Sequence, residues 1–195
     1  MRLVNQLVIV VGALMLVAGA MAGGECCEKA AATNDWCKGC KEGFYNGVSM
    51  SSAKLHKTLA GDPVSTNMKC EGCKAASAND GWCKDCGTGY ANKRHYASWV
   101  GYRLALGKHT AAKEIKCDAC KKASADHGWC DACKAGMVGC ERYTDKAQYE
   151  AAVAARPVLV AAAKEKCEGC AVAMVTNGKC EACKVSYKDG KKSGS

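Results

Sequence analysis

The apolar positions of this chain fall into two unlike parts. Leu7 to Ala22 form an unbroken apolar run, with Arg2 ahead of it and Ala20-Met21-Ala22 at its end. A positive start, a short apolar centre and a small-x-small site predict a secretory signal peptide over residues 1–22, cleaved to leave Gly23 first. The run is 16 residues long, under the ~20 that a membrane-spanning helix needs, so cleavage is expected rather than anchoring. No later stretch is apolar enough to span a bilayer, so no membrane association is expected after cleavage.

Beyond that run large apolar residues are sparse, with one Phe (Phe44), one Ile (Ile115) and few Leu. Where they recur, the spacing is helical. Tyr96, Trp99, Val100 and Leu104 lie at i, i+3, i+4 and i+8 and predict a helix ending at Gly107. Ser51 or Ser52 can cap another that ends near Gly61. Thr144-Asp145 starts a third, which runs to Ala155 and is broken by Pro157 before a short apolar continuation. Lys74–Ala78, Lys121–Ala125 and Ala171–Val175 carry few β-branched residues and predict short helical turns. Each closes on a glycine-bearing turn, at Asn79-Asp80-Gly81, Asp126-His127-Gly128 and Thr176-Asn177-Gly178. From Tyr187 onward, Lys, Gly and Ser predict a frayed end.

So few large side chains would by themselves predict a loosely packed chain. The 17 cysteines reverse that expectation, because small units with thin cores are held by disulfides or metals. They follow a rule. Cys117, Cys120, Cys130 and Cys133 have the form C-x2-C-x9-C-x2-C, which recurs at Cys70, Cys73, Cys83, Cys86 and at Cys167, Cys170, Cys180, Cys183. A degraded copy holds Cys26, Cys27, Cys37 and Cys40, with Gly24 where the others carry their first cysteine. Adjacent cysteines are not expected to present sulfurs as C-x2-C does, so this copy is the least regular.

The period divides the chain into a degraded first unit at residues 23–66, units at 67–113 and 114–163, and a truncated fourth at 164–195. Tail helices packed on the next unit predict an array in which each unit touches only its neighbours. The expected fold class is therefore small cysteine-rich repeats, metal- or disulfide-stapled, with short α-helices in a tandem array and little β structure. Trp36, Trp82 and Trp129 directly precede the second knuckle, and each is expected to lid its cysteine group.

Two short knuckles that aim two sulfurs apiece at one point suit a tetrahedral ion. The same cysteines can instead pair as nested disulfides, Cys70–Cys86 around Cys73–Cys83, each worth about 2–4 kcal/mol. Spacing favours metal, while an oxidising compartment favours disulfides. Both readings stand at this point. Trp-Cys-x-x-Cys also admits a thiol–disulfide redox reading, but these units are too short for the βαβ setting that activates such a thiol.

The double knuckle resembles those of zinc ribbons, particularly the short secreted or membrane-tethered kind with an aromatic before the second C-x2-C. The resemblance spans the 17 residues from first to last cysteine of a unit, and the Ala-rich spacer departs from the strands of a ribbon. It implies a closed four-thiolate zinc site with a structural, non-catalytic role. Iron is the other metal that this ligand set admits.

Lysines crowd the knuckles, among them Lys69, Lys74, Lys116, Lys121, Lys134, Lys166 and Lys184. They are expected to stabilise thiolates, which reads the formal charge of +9 as counter-charge rather than as a nucleic-acid surface. His56, His95, His109 and His127 share no repeat position, and no serine–histidine pair, carboxylate pair or phosphate loop is visible. No enzyme activity is expected. The expected function is metal binding by a secreted or periplasmic chain that serves an unknown protein partner in interaction or scaffolding. The alternatives are a disulfide-stapled interaction module without metal, and sequestration of metal as cargo. Cys140 has no counterpart in the other units and predicts a free thiol or a link in a homodimer.

Overall fold

A computed structural model describes residues 25–194. The expected signal peptide lies outside the described residues. Each unit repeats one plan, a helix followed by three short strands and, in the first three units, a tail. The first holds α1 (Glu25–Thr33), β1 (Trp36–Cys37), β2 (Glu42–Tyr45), β3 (Val48–Met50), α2 (Ala53–Ala60) and β4 (Asp62–Pro63). The second holds α3 (Glu71–Ala78), β5 (Trp82–Cys83), β6 (Thr88–Ala91), β7 (Arg94–Tyr96), α4 (Trp99–Ala105) and β8 (Lys108–His109). A 3-10 turn at Ala112–Glu114 leads to the third, with α5 (Asp118–Asp126), β9 (Trp129–Cys130), β10 (Ala135–Val138), β11 (Glu141–Tyr143) and the long α6 (Lys146–Lys164). The fourth ends the chain with α7 (Glu168–Thr176), β12 (Lys179–Cys180), β13 (Val185–Lys188) and β14 (Lys191–Gly194).

The expectation of little β is therefore wrong. Every unit carries an antiparallel sheet, and there are four among the described residues. The strands are two to four residues long, too short to display an alternating pattern, and backbone turns create them instead. Asn46-Gly47, Asn92-Lys93 and Asp189-Gly190 all have positive φ at both positions, the geometry of a tight hairpin turn matched to strand twist. The segment after Tyr187, expected to fray, closes as the β13–β14 hairpin for this reason.

One further contact fixes each unit. Asn34, Asp80, His127 and Asn177 end their helices in the left-handed region, with φ of 57°, 48°, 53° and 55°. The side chain of each then accepts an N–H from the hairpin turn 12 residues on. The pairs are Asn46 N–H to Asn34 Oδ1 (2.8 Å), Asn92 to Asp80 Oδ1 (3.1 Å), Gly139 to His127 Nδ1 (3.2 Å) and Asp189 to Asn177 Oδ1 (2.7 Å). Helix end and hairpin are thereby locked in one register.

A simple array is also ruled out. One central cluster joins Leu55 and Leu59 of α2, Val100 and Leu104 of α4, Ala155 and Leu159 of α6, and Val175 of α7. The first unit touches all three others. Tyr45 Oη donates to Gly101 O (3.0 Å), Asn46 Nδ2 to Val138 O (2.9 Å) and Ser52 Oγ to Glu168 Oε1 (2.7 Å). Fully buried Ser98 caps α4 by accepting from Gly101 N–H and donates to Val175 O, both at 2.9 Å, so one hydroxyl joins two helices. Alanines at positions 152, 155 and 162 are buried on α6. They bury little area each but let helices approach closely.

Pro157 does not break α6, which runs through it. A proline there removes the N–H that the carbonyl of Val153 would accept. Val153 is 39% exposed, so water can satisfy that carbonyl. The tails also exchange strands. β4 pairs with β7, and β8 with β11, so the tails of the first two units each lay a two-residue strap along the edge of the next unit's sheet. No helix among the described residues is long and apolar enough to cross a membrane.

Candidate metal centres

In the last three units the first cysteine is the N-cap of its helix, with extended backbone at Cys70, Cys117 and Cys167. The second cysteine follows three residues later in the first turn. The third ends a two-residue strand, and the fourth precedes a residue of positive φ, namely Lys41, Gly87, Lys134 or Lys184. A helix N-terminus and a tight turn thus face each other, each supplying two sulfurs.

The chain forms four groups of this kind: Cys26, Cys27, Cys37, Cys40; Cys70, Cys73, Cys83, Cys86; Cys117, Cys120, Cys130, Cys133; and Cys167, Cys170, Cys180, Cys183. Within each group every sulfur lies within 4.8 Å of the others. Separations in three of the groups include 3.5 Å for Cys26–Cys40, 3.8 Å for Cys70–Cys83, 3.7 Å for Cys167–Cys180 and 3.5 Å for Cys167–Cys183. A tetrahedron with Zn–S bonds of ~2.3 Å has an edge of ~3.8 Å. The sulfurs are spaced for an ion. All 17 cysteines are free thiols.

The electrostatics agree. Cys70, Cys117 and Cys167 are each drawn down to about 7, first by the backbone N–H of the next cysteine in the knuckle and then by neighbouring thiols. Cys37 is drawn to about 7 by the N–H of Cys40. Their partners move the other way, with Cys86 and Cys183 pushed up to about 12 by the thiols around them. One sulfur of a group ionises readily and then holds the others protonated. A divalent cation at the centre would let all four ionise, so the donor set fits zinc, and on the same grounds iron.

Lysines matter less here than expected. Lys74, Lys121 and Lys184 pair instead with Glu71 (2.6 Å), Asp118 (2.7 Å) and Glu181 (3.2 Å), all exposed contacts that contribute little. Nor do the tryptophans lid the sulfurs. On a strand neighbouring residues face opposite ways, so Trp82 turns from the centre that Cys83 faces. It packs on Tyr102 of its tail helix at 5.3 Å, as Trp129 does on Tyr149 at 5.3 Å and Trp36 on His56 at 5.8 Å. Both rings lie over Gly43 and Gly89, where a Cβ would come within 2.7 Å of each, and the Tyr149 ring lies as close over Gly136. The close approach requires glycine.

The residue after that glycine covers the sulfurs, a role that sequence reasoning missed. Phe44, Tyr90 and Met137 pack in the cysteine clusters of their units. Tyr187 is buried, and the neighbouring Cys170 thiol pushes its hydroxyl up to about 12, while burial first and then the Cys73 thiol push that of Tyr90 up. The signal lay in the repeat itself, one place beyond the glycine.

The first group corrects another expectation, since adjacent Cys26 and Cys27 do join one tetrad. Cys26 stands where the other units have Gly72, Ala119 and Gly169. A Cβ built on Gly72 would lie 2.9 Å from Cys83 Sγ, and one on Gly169 2.8 Å from Cys180 Sγ. A side chain at this position points into the centre, so a cysteine there replaces the one missing at Gly24. Cys140 belongs to no group; its sulfur lies near Gly47 of the first unit. The histidines stay outside too. His56 Nε2 meets Asn34 O at 3.0 Å, His95 Nδ1 meets Pro63 O at 3.2 Å and His109 Nδ1 meets Glu141 Oε1 at 3.2 Å.

The four groups are consistent with zinc-ribbon-like knuckles. Compared with known proteins, the chain matches no family model, no curated protein and no solved structure.

Proposed function

We propose that this is an exported, non-enzymatic protein whose fold is held by zinc at four tetrathiolate centres, and whose role is interaction with a protein partner or scaffolding outside the cytoplasm. The sulfur spacing carries the reading, since every group holds its four sulfurs within 4.8 Å of one another and separations of 3.5–3.8 Å in three of them match the edge of a zinc tetrahedron and not a bonded pair. A closed shell of four thiolates has no open position for water or substrate, which supports a structural and not a catalytic metal. The ligands Cys170 and Cys180 also belong to the central core, which supports metal as part of the fold rather than as cargo. Export rests on the run Leu7 to Ala22 and its small-residue end.

Native mass spectrometry of the purified, unreduced chain tests the metal, with about four zinc ions expected per chain. A metal-free chain lighter by two hydrogens for each bridged pair, its fold untouched by chelator, overturns the reading in favour of disulfides. Intact mass of the exported material tests the leader, since retention of Met1 to Ala22 in a membrane fraction overturns cleavage before Gly23 in favour of an anchor.

A further inference from the structure

Where the first three units meet, the protein encloses a cleft of about 260 Å³ that the metal centres do not use. Two buried polar groups on its walls have bonding capacity left over. Glu141 on β11 is 6% exposed. Its Oε1 accepts from Asn34 Nδ2 at 3.1 Å and from His109 Nδ1 at 3.2 Å, whereas Oε2 has no partner among the described residues. Tyr96 on β7 is 3% exposed, and its hydroxyl has no partner there either. Neither atom is sealed in protein, since Trp99 Nε1 is the one fully buried side-chain polar atom without a partner among the described residues. A carboxylate oxygen and a phenol left open in a partly enclosed space call for a bound donor.

The remaining charges define what kind. Asp35 adds a second carboxylate, and Arg94 and His109 line the same space. Arg94 spends Nε and Nη2 on the carbonyls of Ala60 (2.8 Å) and Gly61 (2.7 Å), which fixes the guanidinium and leaves Nη1 without a partner among the described residues. Carboxylates beside a held guanidinium and an imidazole suit a ligand with both signs of charge.

We propose that this cleft binds a small zwitterionic amine, an amino acid in size and charge, with its ammonium group on Glu141 and Tyr96 and its carboxylate toward Arg94 and His109. The site needs the junction of three units, so it exists only in the assembled chain. It goes beyond the structural reading of the metal centres and holds whichever metal they carry.

Isothermal titration of the full metal-loaded chain with each of the common L-amino acids tests it. At least one binds with a dissociation constant of about 1 mM or tighter. For that probe Glu141→Gln weakens binding about tenfold or more, the loss of a charge-assisted bond. Tyr96→Phe weakens it about fivefold, and because this hydroxyl has no internal partner the variant keeps its fold by circular dichroism. The decarboxylated amine of the same probe retains binding that depends on Glu141, while the deaminated acid loses it. Absence of binding by every amino acid at about 10 mM overturns the proposal. So does unchanged affinity in Tyr96→Phe, or a deaminated acid that binds as well as its parent.

Discussion

The second and fourth units share one cysteine spacing and fold to one knuckle, yet they occupy opposite surroundings. On α3, Lys74, Ala75 and Ala78 face solvent, and Cys73 and Cys83 lie outside the central core, in a small cluster with Ala76 and Tyr90. On α7 the matching positions of Lys74 and Ala78 are Ala171 and Val175, both buried in the central core with Met174. Trp82 leans on a tail helix, whereas exposed Lys179 stands in its place in a unit that has no tail. The knuckle's backbone is therefore set by its cap, its left-handed turn and its sulfur group, wherever it docks. The outward face of the helix has no part in that work and alone decides the docking. Ligand geometry and placement are two separate codes written on the same nine residues of α7.

That separation can be broken by experiment. Val175→Asp places an unpaired carboxylate in the shared core and should abolish cooperative unfolding of the whole chain. Ala78→Asp, at the matching exposed position, should shift stability by less than about 0.5 kcal/mol in a urea melt. Equal losses would show that α3 is also core. Next in size, Cys83→Ser and Cys180→Ser should each lose one zinc by native mass spectrometry. Only Cys180→Ser should also speed hydrogen exchange in α2 and α4, because Cys180 sits in the central core. Trp82→Ala should cost about 2–4 kcal/mol with its zinc retained, against less than about 0.5 kcal/mol for Lys179→Ala. Loss of zinc in Trp82→Ala would restore the tryptophan as a lid. The smallest effect is expected from Tyr187→Phe and Tyr90→Phe, which should release zinc to a chelator about fivefold faster without changing its stoichiometry. Unchanged rates in both would mean that these hydroxyls do not hold the thiolates.

The ligands and caps could be read in advance because their chemistry resides in residue identity. Cysteine spacing names the four groups, and Asp145 caps α6 by accepting from Gln148 N–H at 2.8 Å, as Ser52 caps α2 through Leu55 N–H at 3.0 Å. The sheets were hidden for a physical reason. Their strands are fixed by positive-φ positions, and several of those hold Lys41, Lys134 and Lys184, side chains that do not advertise a turn. Asn46-Gly47 and Asp189-Gly190 were the available clues to the hairpins. The shared core was hidden because α6 builds its face from alanines, which read as weak burial in isolation and become close packing only against another helix.

The straps β4 and β8 have a consequence for behaviour in a crowded solution. Each occupies a row of backbone groups that would otherwise be free to pair with a strand of another molecule. The first strap contains Pro63, which has no N–H to offer and so makes a poor template on its own outer side. The last strand, β14, has no strap, but it is exposed throughout and carries Lys191 and Lys192, whose charge opposes alignment with a like copy. Short sheets multiplied along one chain would multiply sticky edges. Here the first two tails close the edges that follow them and lysines guard the last, so the chain can repeat its unit without becoming a seed for aggregation.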